Sequence, residues 1–276
     1  MIHIGEYNLL EINRETDFGL YLIDETGEEV LLPNRYVPET YDLGEEIEVF
    51  VYLDNKERPV ATTERPYVKK NEFAVLRCNE ATNFGAFLDW GLVKELFCPF
   101  KEQVFKMKAG SWYLVYCYLD EVTNRLVASS RTNRFLDNTH LTVSQFQEVD
   151  IIISHPSELG MNVIVNNIHS GLIFNDDIYV DLGIGDRLKG YVKKIRPNNK
   201  LDIAIGKVGY RNIEPNAEAI LSHLENNGGF LALTDKSHPD QVKELLQMSK
   251  KNFKKAVGAL YKQHIITIGE DGIHLL

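Results

Sequence analysis

The sequence predicts a mainly β protein with a small α+β domain at its C-terminal end, and three observations support this fold class. The segment TDFGLYLID, which contains Phe18, returns 66 residues later as TNFGAFLDW, which contains Phe84. Within each copy, short runs alternate between apolar and polar residues, a period typical of β-strands. After residue 213 the apolar residues recur with the spacing of a helix. A chain of 276 residues has room for several small domains.

Each copy of the repeat predicts five short strands. The turn glycine of LGEEIEVFVYLD, Gly44, matches Gly110 of AGSWYLVYCYLD at the same spacing of 66 residues. A fainter third copy has Leu159 in place of the first phenylalanine and Gly185 at the turn. Five short strands separated by turn signals are typical of a small closed barrel, which leaves no strand edge exposed. The sequence therefore predicts three tandem five-stranded barrels.

The aromatic pair of the second copy, Phe84 and Phe87, raises a question of geometry. Side chains three residues apart on a strand point to opposite faces. The two rings share a side only if the chain bends or bulges at Gly85, as glycine permits. The pair is then either a set of core aromatics beside a bulge or a platform for a flat ligand.

The C-terminal segment predicts three helices and a hairpin. AEAILSHLE places apolar residues on one helical face, Ser237 is the predicted start of a second helix, and Ser249 is the predicted cap of a third. The strands ITI and IHLL flank the turn GEDG. This order predicts a winged-helix domain. The predicted domains are 1–65, 66–135 and 146–212 for the barrels and 213–276 for the winged helix.

Charge is distributed unevenly along the chain, whose net charge is −10. Residues 1–186 carry 15 basic and 31 acidic side chains, whereas residues 187–263 carry 15 basic and 7 acidic ones. This asymmetry assigns the acidity to the first two barrels and predicts a polyanion site in the C-terminal third. Docking of the basic part on the acidic part stays open as an alternative. The residues predicted to contact nucleic acid are Lys189, Tyr191, Lys193, Lys194, Arg196, Lys200, Lys251, Lys254, Lys255 and Lys262.

The repeated pattern, with Phe-Gly-x-Phe/Tyr, a turn glycine, Asp and a final Leu-x-x-Ser, resembles the S-one RNA-binding domain, a module of the OB fold. In that family the two aromatics stack on bases, which implies a stacking role for Phe18 and Tyr21 and for Phe84 and Phe87. Polar residues near the last turn touch phosphate in the family, and Arg58 and Arg125 hold that place here. Because the first two barrels are taken as acidic, base stacking and simple packing both stay open for these rings.

Three such barrels followed by a winged helix resemble the conserved virulence factor B family, and the resemblance covers the whole chain. Its most specific stretch is GYVKKIRPNNKLDIAI. The resemblance implies a cytoplasmic bacterial protein that binds single-stranded RNA, regulates gene expression after transcription, and has neither catalysis nor a cofactor.

Three other classes of function stay open. Asp176, Asp177 and Asp181 would suit a nuclease metal site, but aspartates in turns are usually turn formers, and the sequence has no HExxH and no Ser-His-Asp signature. We therefore expect no catalytic or metal-binding residues. A winged-helix regulator would bind duplex DNA, and a scaffold would bind a protein partner at the acidic barrels.

The remaining composition excludes a membrane protein and a disulfide framework. The longest apolar runs are too short to span a bilayer. Cys78, Cys98 and Cys117 lie about twenty residues apart without a CxxC motif, a spacing that predicts reduced, buried thiols.

Overall fold

The computed structural model describes residues 1–178, 180–205, 215–234, 236–262, 265–269 and 271–276. These residues form two compact units. The first unit comprises Met1–Leu141, Asp150–Gly171 and Val180–Leu188, and the second comprises the other described residues up to Leu276.

The predicted fold class is confirmed, because three closed five-stranded barrels precede a small helical domain. The strands of the first barrel are β1 (Tyr7–Thr16), β2 (Gly19–Ile23), β3 (Glu29–Pro33), β4 (Glu46–Leu53) and β5 (Pro59–Thr62). Those of the second are β6 (Glu72–Ala81), β7 (Gly85–Asp89), β8 (Leu96–Pro99), β9 (Trp112–Asp120) and β10 (Arg125–Ser129). Those of the third are β11 (Glu148–Ser157), β12 (Gly160–Val165), β13 (His169–Phe174), β14 (Arg187–Ile195) and β15 (Leu201–Ile205).

All three barrels have the same strand order, as the sequence repeat predicts. The first strand of each pairs with the second and the fourth, and the fifth lies between the third and the fourth. The third and fifth strands pair in parallel, with Leu31 opposite Val60 in the first barrel and Phe97 opposite Val127 in the second. The long first strand, shared by two neighbours, closes each sheet.

The predicted position of the bulge, at Gly85, is wrong. The irregularity of register lies on the neighbouring strand, between Cys78 and Glu80, and Phe84 belongs to the turn that precedes β7. Gly85 is needed for a different reason: a Cβ atom there would lie 2.5 Å from the backbone oxygen of Cys98. The close approach of two strands, rather than a bend, requires the glycine.

The first two barrels pack together through a shared core. Trp90 of the second barrel meets the rings of Phe50 and Tyr52 of the first edge-on, at centroid distances of 5.8 and 6.2 Å. The indole N–H of Trp90 donates to the backbone oxygen of Lys94 at 2.5 Å. This contact between barrels positions the β4–β5 turn of the first barrel beside the face of the second.

A smaller core joins the second barrel to the third within the first compact unit. Phe73 packs with Ile152 and Ile164, both of the third barrel. The Asn167 amide donates to the backbone oxygen of Asn71 at 2.9 Å. The segment that follows β10 lies along this junction.

The predicted winged helix forms as α1 (Pro215–Asn226), α2 (Pro239–Leu246), α3 (Lys250–Lys262), β17 (Ile266–Ile268) and β18 (Ile273–Leu275). A third strand that the sequence analysis missed, β16 (Phe230–Leu231), pairs with β18. The predicted start of α2 at Ser237 is wrong, because His238 caps that helix in a reciprocal pair with Gln241. Ser249 caps α3 as predicted, its hydroxyl accepting from the amide of Asn252.

Among the described residues, no helix has the length and apolar character needed to cross a bilayer.

Candidate nucleic-acid interface

The second barrel presents the predicted aromatic pair on an open cavity. Phe84 is 80% exposed at the tip of the β6–β7 turn, where its amide donates to the Thr82 hydroxyl at 3.2 Å. Phe87 follows on β7, half-buried, with its ring 5.1 Å from that of Phe97. Phe84 and Phe87 both line a cavity of roughly 370 Å³. An aromatic this exposed does not serve core packing, and base stacking by Phe84 stays a prediction.

Two cations line the same cavity. Arg125, predicted as a phosphate contact, forms an ion pair with Glu57 from the β4–β5 turn of the first barrel. The ammonium of Lys94 donates to the backbone oxygen of Asp54 at 2.8 Å, and burial lowers the pKa of Lys94. The structure thus brings together all three predicted residues of the second repeat. The sequence did not predict the contacts of Glu57 and Lys94 at this cavity, because both contacts join the first barrel to the second.

The first barrel uses its corresponding residues differently. Phe18 is 75% exposed, but the guanidinium of Arg14 lies 3.8 Å from the centroid of the Tyr21 ring. Arg58 is bound within its own turn, with an ion pair of 2.7 Å to Asp54. One face of the tyrosine is therefore covered, and the predicted phosphate contact is already occupied by a carboxylate.

The basic strand of the third barrel is largely neutralised by carboxylates of the same barrel. Lys193 pairs with Asp177 and Arg196 with Asp202, each at 2.7 Å. Lys189 lies 4.0 Å from Glu148, which also accepts a hydrogen bond from the hydroxyl of Tyr191. That hydrogen bond is the main cause of a raised pKa for Tyr191.

Two of the predicted cations of this barrel differ from the others. Lys194 is exposed, and so is Lys200. Neither forms an ion pair with any residue in the described part of the chain. A phosphate contact by these two lysines, one on β14 and one before β15, stays a prediction.

Helix α3 of the winged helix has two distinct faces. Phe253, Val257 and Leu260 are buried against the rest of the domain. Its predicted binding residues are all exposed: Lys251, Lys254, Lys255 and Lys262. A role for these lysines in nucleic-acid binding, and a groove that they share with the third barrel, remain predictions.

The first two barrels differ in net charge, contrary to the expectation from the sequence. Residues 1–65 carry 5 basic and 16 acidic side chains, whereas residues 66–135 carry 10 basic and 7 acidic ones. The acidity assigned to both barrels is therefore wrong for the second barrel, which carries the exposed platform. A count made domain by domain would have found this signal in the sequence.

One of the aspartates considered for a metal site, Asp177, serves another contact. Asp177 holds Lys193, and in the described ranges of the chain no cluster of three or more His, Cys, Asp or Glu side chains is placed to hold a metal ion. The three cysteines are free and buried, as predicted.

The fold and the exposed platform define a class of protein: a tandem array of S1-type (S-one-type) barrels that ends in a winged helix, two domain types that point to nucleic-acid binding. Residues 4–64 match the family model of the S1 domain, and residues 218–275 match that of the CvfB-like winged helix domain. Neither model describes a catalytic domain.

Over nearly its full length the chain is similar to conserved virulence factor B, so the predicted resemblance is confirmed. The protein of that name from Staphylococcus epidermidis is 24% identical over 96% of this chain and 92% of its own. The uncharacterized protein YitL of Bacillus subtilis is 28% identical over 94% of this chain and 89% of its own.

A solved structure has the same fold. It is a multidomain protein with nucleic acid binding domains from Streptococcus pneumoniae, and it matches with a TM-score of 0.50 and 24% identity. The match covers 99% of this chain and 98% of that one.

Proposed function

We propose that this chain is a non-catalytic protein that binds single-stranded RNA and regulates gene expression after transcription in the bacterial cytoplasm. One observation carries the proposal: the exposed ring of Phe84 and the ring of Phe87 line one open cavity together with Arg125. Stacking on exposed rings requires unpaired bases. Arg125 is paired with Glu57, so it contacts a phosphate only by exchanging that carboxylate for it.

Single strands suit this chemistry better than a duplex does. Bases within a duplex keep their faces stacked on each other, so an exposed phenylalanine offers them little. The helix that would enter a major groove, α3, presents lysines and Asn252 on its exposed face, and it has no arginine to bind guanine in a bidentate manner. The choice of RNA over DNA rests on the resemblance to the S-one RNA-binding domain.

Exposed lysines provide a second contribution to RNA affinity, which does not depend on the RNA sequence. Lys194, Lys200, Lys251 and Lys254 are exposed cations on the third barrel and on α3. Contacts of this kind neutralise phosphates and release counterions, so they raise affinity for every sequence and make it depend on salt.

The test is a set of titrations of the full-length chain with fluorescent oligonucleotides of one sequence, as single-stranded RNA, single-stranded DNA and duplex DNA, over a series of salt concentrations. We expect single-stranded RNA to bind most tightly, with affinity that falls steeply with salt. Phe84→Ala should weaken this binding about 5-fold or more, the lower end of what one stacked base contributes.

Tyr67→Ala is the matched control, because Tyr67 is an exposed aromatic of the same domain that does not line the cavity. A preference for duplex DNA would contradict the proposal in favour of a winged-helix transcription regulator. Absence of binding to any oligonucleotide would contradict it in favour of a scaffold that contacts a protein partner through the acidic first barrel.

A further inference from the structure

A second open groove lies at the junction of the second and third barrels, within the first compact unit. It consists of two adjoining cavities of roughly 540 and 330 Å³, which share Asn133, Ser154 and His155. Neither cavity shares a lining residue with the platform of Phe84 and Phe87. Each is within the size range of small-ligand sites. We call this pair of cavities the junction groove.

An exposed aromatic ring stands at the edge of the junction groove on a fixed loop. Phe105 is 82% exposed and lines the larger cavity. The buried amide of Gln103 fixes the loop on both sides: it donates to the backbone oxygen of Cys98 and accepts from the amide of Met107, each at 2.9 Å. The amide of Val104 is held by the Ser130 hydroxyl, also at 2.9 Å. The ring is therefore presented to solvent by a rigid support, at little entropic cost to a ligand.

An arginine without a carboxylate partner lies in the same cavity. The Arg131 guanidinium donates one hydrogen bond, from Nε to the backbone oxygen of Lys101 at 2.8 Å. No carboxylate in the described part of the chain lies within ion-pair distance of it. Arg134 differs, because it holds the buried carboxylate of Glu102 at 3.1 Å. Arg131 thus keeps its terminal N–H groups for an anion.

The surroundings of the groove are basic, although the whole chain is acidic. The loop before β9 and the segment after β10 carry five cations: Lys101, Lys106, Lys108, Arg131 and Arg134. Glu102 is the one carboxylate in those segments, 100–108 and 130–134, and Arg134 neutralises it. Among the described residues that line the two cavities, none is Asp or Glu. The groove therefore suits a polyanion and not a basic peptide.

Polar side chains continue the groove onto the third barrel. Asn162 occupies the place in the third repeat that Phe87 has in the second, and it lines the smaller cavity. His155 is exposed, and its Nδ1 lies 3.0 Å from the Ser154 hydroxyl. Amides and imidazoles hydrogen-bond to the edges of unpaired bases. The third repeat has lost its stacking pair and offers polar groups instead.

We propose that the junction groove is a second binding site for single-stranded nucleic acid, in which Phe105 stacks on a base, Arg131 contacts a phosphate, and Asn133 and His155 contact base edges. This second site rests on the proposed function being correct. It adds a path by which the bound nucleic acid passes from the second barrel to the third. Aromatic and cationic groups together on an open groove are the chemistry that single strands require.

The experiment compares two variants with matched controls in the full-length chain, by titration with a long single-stranded RNA. Phe105→Ala should weaken binding about 5-fold or more. Arg131→Ala should reduce the slope of log affinity against log salt by about 0.7. The controls are Trp112→Ala and Arg77→Ala, an exposed aromatic and an exposed arginine of the same barrel that line neither cavity.

A spectroscopic readout checks the contact directly. The tryptophan introduced by Phe105→Trp, in a chain that also carries Trp112→Phe, is the only exposed indole, because Trp90 is 2% exposed. Its fluorescence should be quenched by single-stranded RNA as bases stack on it.

The outcomes separate the two proposals. Loss of affinity on Phe84→Ala with no effect of Phe105→Ala or Arg131→Ala, and no quenching, would overturn the junction groove and leave the proposed function intact. Absence of binding by the unaltered chain would overturn both.

Discussion

Arg14 lies over the ring of Tyr21, with 3.8 Å between the guanidinium carbon and the ring centroid. In the second barrel the position equivalent to Arg14 is Glu80, which lies opposite Phe87, so a carboxylate takes the place of the guanidinium. The neighbouring contact is conserved between the two repeats, because Asn13 donates to Glu29 as Asn79 donates to Glu95. The same barrel frame therefore carries a ring covered by a cation in one copy and a ring without that cation in the other.

This difference predicts unequal roles for the two exposed phenylalanines. Phe18→Ala should change RNA affinity less than 2-fold, because the ring beside it is covered and residues 1–65 are strongly acidic. Phe84→Ala should weaken binding about 5-fold or more. Fluorescence anisotropy with one RNA and both variants measures the ratio directly. Equal losses would mean that the first barrel binds as well as the second.

The sequence repeat predicts a large part of this site, because residues at equivalent positions of a repeat occupy equivalent positions in the barrel. Phe84, Phe87 and Arg125 follow from the resemblance of the repeat to the S-one domain, and they do lie on one cavity. The partner of Arg125, Glu57, does not follow from it. That contact depends on the packing of Trp90 against the first barrel, which no period in the sequence records.

The residues of the junction groove are harder to predict from the sequence. Phe105, Arg131 and His155 belong to a loop, a linker and a strand of two different barrels. They meet only because the second and third barrels pack through Phe73 and its neighbours. The net charge of residues 1–186 also gave no indication that the second barrel is basic, since the strongly acidic first barrel dominated the sum.

Ion pairing on the third barrel predicts which lysines bind RNA. Lys194→Ala should reduce the salt slope of RNA binding by about 0.7, because its ammonium is available to a phosphate. Lys193→Ala removes the same charge, but Lys193 already pairs with Asp177 at 2.7 Å and must leave that carboxylate to bind. Its variant should therefore change the slope less. The two titrations form a matched pair, and a larger effect of Lys193→Ala would contradict the assignment.

The buried thiols predict that the stability of the fold falls at alkaline pH. Burial raises the pKa of Cys98 and of Cys117 to about 12, and it raises the pKa of Cys78 as well. A thiol whose pKa is raised in the folded state stabilises the fold below its unfolded pKa of about 8.5, and this stabilisation is lost as pH rises from there towards the folded value. The denaturant midpoint should therefore fall between pH 8 and pH 10.

A thiol-specific reagent provides the second measurement. At pH 8 it should modify none of the three cysteines in the native protein within minutes and all three after unfolding, because the thiolate is the reactive form. Rapid modification of the native protein would show that one of these strands opens readily.

Gly85 predicts where the second barrel tolerates no side chain. A Cβ atom at this position would lie 2.5 Å from the backbone oxygen of Cys98 and 2.8 Å from the ring of Phe97. Gly85→Ala must therefore separate β7 from β8, and we expect a loss of about 1–3 kcal/mol in the free energy of unfolding. Because Phe97 packs against Phe87, the shift should also weaken RNA binding. Gly258→Ala is the control, since Gly258 lies in α3 and a Cβ there would meet no atom within 4 Å apart from its chain neighbours and the backbone of its own helix. The change should stabilise the protein by about 1 kcal/mol. Urea denaturation of both variants measures the two changes, and a neutral Gly85→Ala would mean that the strands can separate without cost.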